Sequence, residues 1–359
     1  MSYTTTWEEI RSHYRIKDRE FPMLTEDTPT FMGVPHARTA ADLSGADVVV
    51  IGAPYVAGLK GAAHAGKYAG VDKAEWVLAT QRVRQQSIRY PTGYVQDFDL
   101  DIFEHLKVVD FGDADIPEAV NQDPTPENIL AAQAAVEVKV NAALDAGAVP
   151  VVIGQNSPCG SYAIAKPIAE HWSGKIGMIS LDTHWDSKPI DHLTGDPRIA
   201  GSGNWKAKTY EFHPNFSIPN LVEIGERGML ERAEHVRHFL ERGVHFIPMW
   251  KLRTELGIEG LCRELRHAYE GTDAVYVHFD MDVIGGAGPA PGDILGDLAE
   301  PIGMTDYEVI RIAHEIGRRG LAGLSFICIP PGSAVVYRLI VYVIVYLMVG
   351  LIEGRRDRD

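Results

Sequence analysis

Ile176-Gly177-Met178-Ile179-Ser180-Leu181-Asp182-Thr183-His184-Trp185-Asp186 is the stretch on which the fold turns. Its first six residues form a near-continuous apolar run, the pattern of a strand covered on both faces. Side chains at i, i+2 and i+4 of an extended segment share one face, so Asp182, His184 and Asp186 can converge on one point. The pattern recurs downstream: Val275 to Phe279 reads as a second buried strand, and Asp280 and Asp282 follow at the same spacing. Four carboxylates and one imidazole are hard oxygen donors with a single nitrogen. Such a set suits Mn²⁺, or a borderline ion such as Ni²⁺ or Co²⁺, better than a thiolate-bound zinc. Aspartate also caps turns at strand ends, and one such pair would be read that way. Two clusters behind two apolar strands point to a metal.

Working outward, further apolar runs alternate with amphipathic stretches. Asp47 to Ile51, Lys107 to Phe111, Val149 to Ile153, Asn220 to Ile224, His245 to Pro248, Ala274 to Phe279 and Gly323 to Ile329 join Ile176 to Leu181 as predicted strands. Thr125-Pro126-Glu127 offers an N-cap with proline at the first helical position, and the pattern runs to a stop at Gly147. Thr305 and Glu308 form a capping box, with Gly320 as the stop. Strands alternating with helices give an α/β fold of three α/β/α layers with a mostly parallel central sheet. Ligands in such folds bind beyond the carboxyl ends of the strands, where both aspartate clusters fall. Residues 1–40 read as an amino-terminal extension and residues 41–359 as one domain.

Composition narrows the function. The chain has 359 residues, 45% of them hydrophobic, enough for a large core. A formal net charge of −15 argues against nucleic acid or anionic membrane as a partner. The amino terminus lacks the apolar segment of a signal peptide, and three scattered cysteines, Cys159, Cys262 and Cys328, suit reduced thiols, so a cytoplasmic location is expected. Leu339 to Ile352 is fourteen uncharged residues, short of the roughly twenty a bilayer span needs. It is expected to lie, as helix or strand, against the sheet or another subunit, which makes the protein a soluble oligomer with no membrane role. Lys60 to Gly66 lacks the ending of a phosphate cradle and receives no nucleotide role.

At this point the chain resembles the ureohydrolases, the arginase and agmatinase family, over nearly everything after Phe31. The resemblance is carried by Gly45 to Tyr55, Val109-Asp110-Phe111-Gly112-Asp113, Asp182-Thr183-His184-Trp185-Asp186 and Phe279-Asp280-Met281-Asp282, in the family's order. It implies an arginase-like fold and two metal ions that activate water to attack a guanidinium carbon, a poor electrophile. By position it implies that Asp182 and Asp280 bridge the ions, that His184 and Asp282 complete one, and that Asp186 belongs to the other.

The departures from the family pattern matter as much. The family's Gly-Gly-Asp/Asn-His-Ser appears as Gly154-Gln155-Asn156-Ser157-Pro158, putting Ser157 in place of a histidine ligand. Where the family has Glu-Val-Asn-Pro the aligned stretch is Ile327-Cys328-Ile329-Pro330-Pro331, so Cys328 or a neighbour stands in place of the glutamate that receives the guanidinium. Asp-Pro after the second cluster is replaced by Gly285-Gly286, with a longer return to Ala290-Pro291-Gly292. No histidine occupies Ala200 to Trp205, where relatives carry a His-Gly pair for proton transfer, and His192 is too close in sequence to take the role. His278 faces the same way as Asp280, with packing as the expected role; His64, His171, His213, His245 and His314 have no partner at ligand spacing.

Three losses at one site imply a ligand-depleted subunit, similar to that of heteromeric metformin hydrolases. The expectation is a degenerate site of Asp182, His184, Asp186, Asp280 and Asp282 holding at most one Ni or Mn ion, or none, with catalytic and substrate-binding residues unassigned. The implied partner is a paralogous catalytic ureohydrolase subunit in a hetero-oligomer, a hexamer. A self-sufficient metal-dependent agmatinase-like or guanidine hydrolase, and a stand-alone regulatory pseudoenzyme, are the competing readings.

Overall fold

All eight apolar runs form strands of one parallel sheet. The structure, a computed structural model, describes residues 6–14, 16, 19–56, 74–191, 193–227, 231–285, 300–330 and 334–358. In chain order the strands are β1 (Val48–Gly52), β2 (Val108–Asp113), β3 (Val149–Ile153), β4 (Ile176–Leu181), β5 (Phe216–Ile224), β6 (His245–Ile247), β7 (Ala274–Asp280) and β8 (Gly323–Ile327). Their order across the sheet is β6-β5-β4-β7-β8-β3-β1-β2. The last strand ends two residues before the predicted Ile329 because Cys328 takes a left-handed φ of 52°, which no continuing strand tolerates.

Alternation along each strand sends side chains to two separate cores, and this is what makes three layers. Val48 and Val50 join one core and Val49 and Ile51 the other. On the first face lie α1 (Ala79–Ser87), α5 (Asp306–Arg319) and α6 (Ala334–Arg356); on the second lie α2 (Pro126–Asp145), α3 (Ala163–His171) and α4 (Trp205–Phe212). The predicted caps are present: the Thr125 hydroxyl accepts from the Asn128 backbone with Pro126 at the first position, and Thr305 and Glu308 close a capping box. Such caps contribute about 1 kcal/mol each.

The apolar run near the carboxyl end is the long helix α6, which packs on α5 and α1. By length and composition this helix could cross a membrane, yet 78% of its most apolar window is buried inside the protein. Gly317 and Gly350 allow the approach: a Cβ added at Gly350 would stand 2.1 Å from the His314 carbonyl oxygen. Val341, Ile344 and Met348 are wholly enclosed, each contributing roughly 1.5–3 kcal/mol by leaving water. The run is thus covered by the chain's own helices, and its burial needs no second copy.

The segment before Ala41 contains a helix over Trp7–His13 and a short antiparallel pair, Met23–Thr25 with Thr28–Pro29. Phe31 and Met32 are sunk in the first core. The Phe31 backbone N–H donates to Asp110 of β2, which also pairs with the fully buried Arg84 of α1, and this ties the region to the sheet.

Candidate metal centre

The two predicted clusters meet at the carboxyl edge of the sheet because β4 and β7 are neighbours. Strand β4 ends at Leu181 and hands over Asp182; β7 ends on Asp280, with Asp282 one turn further on. The loops are stitched together by hydrogen bonds. Thr183 donates its backbone N–H to Asp282 Oδ1 (3.1 Å) and its hydroxyl to the Asp282 carbonyl (2.7 Å). His184 donates its N–H to Asp182 Oδ1 (2.7 Å), and Asp282 donates its N–H to Asp280 Oδ1 (2.9 Å). Behind them Arg227 donates to the carbonyls of Gly225, Asp282, Val283 and Ile284. Side chains on two different strands are thereby held in fixed relation.

Asp182, His184 and Asp282 bring one donor atom each within 4.8 Å of one another. His184 Nδ1 lies 3.0 Å from Asp282 Oδ2. Burial, with the charges of Asp186 and Asp282, pushes the Asp182 carboxyl well above its ordinary range. Asp280 is pushed the same way by burial and by Asp282 and Asp182. Asp282 is buried too, but the hydrogen bond and charge of His184 hold it below its ordinary value. Burial disfavours the His184 cation, yet Asp282 and Asp182 push this imidazole up to about 9. Carboxylates that raise one another are short of positive charge. Asp182 Oδ1 lies 3.9 Å from His184 Nδ1, while Oδ2, turned toward Lys206, is buried with no hydrogen-bond partner among the described residues. One divalent ion fits: Asp182, His184 and Asp282 would hold it, with Asp280 adjoining.

The other half of the expected site is built differently. Asp186 is half-buried, takes a left-handed φ of 45°, and accepts from the Trp205 indole Nε1 at 2.8 Å. Ser157 is buried, and its hydroxyl has no partner among the described residues. Cys328 lies by Asp280, and burial together with Asp280 and Asp282 pushes its thiol well above the ordinary range. No carboxylate stands at that position. What the sequence reading missed is Lys206. It sits in the first turn of α4, wholly buried, 2.7 Å from Glu223 Oε1 and 4.0 Å from Asp182 Oδ2. Burial opposes its charge, but Glu223 and Asp182 keep its pKa raised. A unit-charge attraction at 4 Å amounts to about 4 kcal/mol at an effective dielectric near 20, comparable with the several kcal/mol lost in desolvating an ammonium. Glu226, beside Glu223, is pushed well up by burial and by that neighbour. In this half the acids are engaged by an indole N–H and an ammonium, and Ser157 is a neutral side chain.

His278 is buried at 2.9 Å from the Ser161 hydroxyl and packs on Trp205, the packing role expected. His245, Glu264 and His267 form a separate grouping at the amino end of β6, where the two imidazoles stack and Arg266 lies 3.0 Å from His267. Sequence gave no signal for it, since the three come from different elements. His64, His192, Lys60 to Gly66, Gly286 and Ala290 to Gly292 lie outside the described residues.

An eight-stranded parallel sheet between helical layers, with an Asp/His cluster at the carboxyl ends of two adjacent central strands, defines an α/β/α protein with a ureohydrolase-like metal centre. The chain belongs to the arginase family, whose model matches residues 46–347. It is similar to formimidoylglutamase of Halobacterium salinarum (24% identical, 85% of this chain and 89% of that protein). It is also similar to guanidinobutyrase of Pseudomonas aeruginosa (25% identical, 83% of this chain and 82% of that protein). Among solved structures, Trypanosoma cruzi formiminoglutamase with Mn²⁺ superimposes with a TM-score of 0.67 at 24% identity, covering 91% of this chain and 99% of that one. Formimidoylglutamase from Bacillus subtilis gives 0.70 at 17%, covering 95% and 98%. At these identities the structural likeness speaks for the fold.

Proposed function

We propose that this chain is the ligand-depleted subunit of a hetero-oligomeric hydrolase of linear amidines, working beside a paralogous catalytic subunit. The observation that supports this reading is the asymmetry of the site: Asp182, His184, Asp280 and Asp282 are retained, while Ser157 and Cys328 stand where a histidine and a carboxylate would serve a second ion and a guanidinium. The substrate class is a guanidine or biguanide, and metformin, giving dimethylamine and guanylurea, is the specific candidate. The chain holds at most one divalent ion, Ni²⁺ or Mn²⁺, in a cytoplasmic hexamer that uses neither membrane nor nucleic acid. A bound ion supplies Lewis-acid polarisation and water activation near neutral pH. The chain's own part is to hold Asp182, His184 and Asp282 in register through Thr183 and Arg227.

The intact His184 half supports a second reading, a self-sufficient hydrolase with one tight ion. The decisive assay offers agmatine, arginine, guanidinobutyrate, formimidoylglutamate and metformin to metal-loaded homogeneous protein. Negligible turnover alone, restored by a paralogue with intact Gly-Gly-Asp-His and Glu-Val-Asn-Pro, is expected. Robust turnover of any of them by this chain alone would establish the second reading instead.

A further inference from the structure

A lysine buried against a metal-ligating aspartate needs an explanation beyond packing. Lys206, Glu223 and Asp182 all have side chains at zero exposure. The ammonium is anchored at 2.7 Å by Glu223 and reaches to 4.0 Å from Asp182 Oδ2, the carboxylate oxygen that lacks a hydrogen bond. The preceding residue, Trp205, holds Asp186 Oδ2 at 2.8 Å. One turn of α4 therefore delivers a cation and an N–H donor to two acids that a second ion would have to share. A dication bound to Asp182 Oδ2 at about 2 Å would lie no more than about 6 Å from that ammonium, among side chains at zero exposure where repulsion is weakly screened.

We propose that the Lys206 ammonium is a built-in counter-ion that takes the charge role of a second metal ion, limiting the site to one. The inference rests on the metal-site reading given above and deepens it: depletion of the second position is a replacement of its cation by a side chain, beyond the loss of a ligand at Ser157. Glu223 is the positioning residue, since it fixes where the ammonium sits.

The test loads the full chain with Mn²⁺, dialyses it, and reads ions per chain by elemental analysis and affinity by calorimetry, with no activity needed. In Lys206→Met/Glu223→Gln both charges leave together, so no buried charge stands alone. The counter-ion role predicts at least one more ion per chain than the parent, or Mn²⁺ affinity raised tenfold or more, whereas Lys206→Arg keeps the parent's values. A folded double variant with the parent's ion count and affinity overturns the proposal and leaves the one-ion reading standing. A parent that itself retains two ions overturns both. Should circular dichroism find the double variant unfolded, Lys206→Gln, whose amide can still donate to Glu223, is judged by the same criterion.

Discussion

Asp110, on β2, and Asp182, just past the end of β4, are both wholly buried aspartates, and they serve opposite ends. Asp110 accepts from Arg84 Nε and Nη2 and from the backbone N–H groups of Phe31 and Gly112, at 2.8 to 3.0 Å, so both its oxygens are occupied. Asp182 accepts one backbone N–H on Oδ1, leaves Oδ2 without a hydrogen-bond partner among the described residues, and is pushed up by burial and by its acidic neighbours. The difference separates an architectural acid from a ligand acid. Where donors saturate the lone pairs, the carboxylate holds the fold; where an oxygen stays open among other acids, it holds a cation.

The largest effect should come from the saturated partner. Arg84→Met leaves Asp110 buried without its cation, and breaking such a pair is expected to destabilise by about 3–5 kcal/mol in denaturant unfolding, with ions per folded chain unchanged. A folded variant that had lost its ion would break the distinction. Asp182→Asn should do the reverse: Mn²⁺ binding weakened at least 100-fold by calorimetry, about 2.8 kcal/mol, while metal-free stability stays within about 1 kcal/mol because a repelled charge has gone. Chelation sharpens the same point, since ion at a hundred times its Kd stabilises by about 2.7 kcal/mol. Adding chelator should lower the melting temperature of the parent and leave that of Asp182→Asn unmoved. Asp186→Asn, in the half already held by Trp205, should weaken the ion less than tenfold. Least of all, Ser157→His should leave the ion count at the parent's value while Lys206 remains; a second ion there would place the whole defect at Ser157.

The sheet was legible in the sequence because buried parallel strands are apolar throughout, and each of the eight runs told its own story. Caps at Thr125 and Thr305 were legible for the same local reason. The fourteen apolar residues from Leu339 were open between helix and strand, since period is lost when every position is apolar; only packing against α5 and α1 decides it. That Asp182, His184 and Asp282 could come together was legible from their spacing. Lys206 was not. Ala200 to Trp205 carries no histidine, and the lysine one residue further on acquires its meaning only from Glu223, seventeen residues away on β5. Charge pairs across elements leave no periodicity to read.

The position of α6 in the chain carries a consequence for how the protein is made. Among the described elements it is the last to be translated, yet it fills the groove between α5 and α1 on which the first core depends. At about 5–20 residues per second, its 23 residues take roughly one to five seconds to synthesise. Through that interval the nascent protein presents a long apolar trough with nothing in it, the kind of surface chaperones hold. The helix then emerges with the length and composition of a membrane segment, so the trough competes with any machinery that captures such helices at the ribosome. Which of the two covers α6 is decided by whichever surface reaches it first.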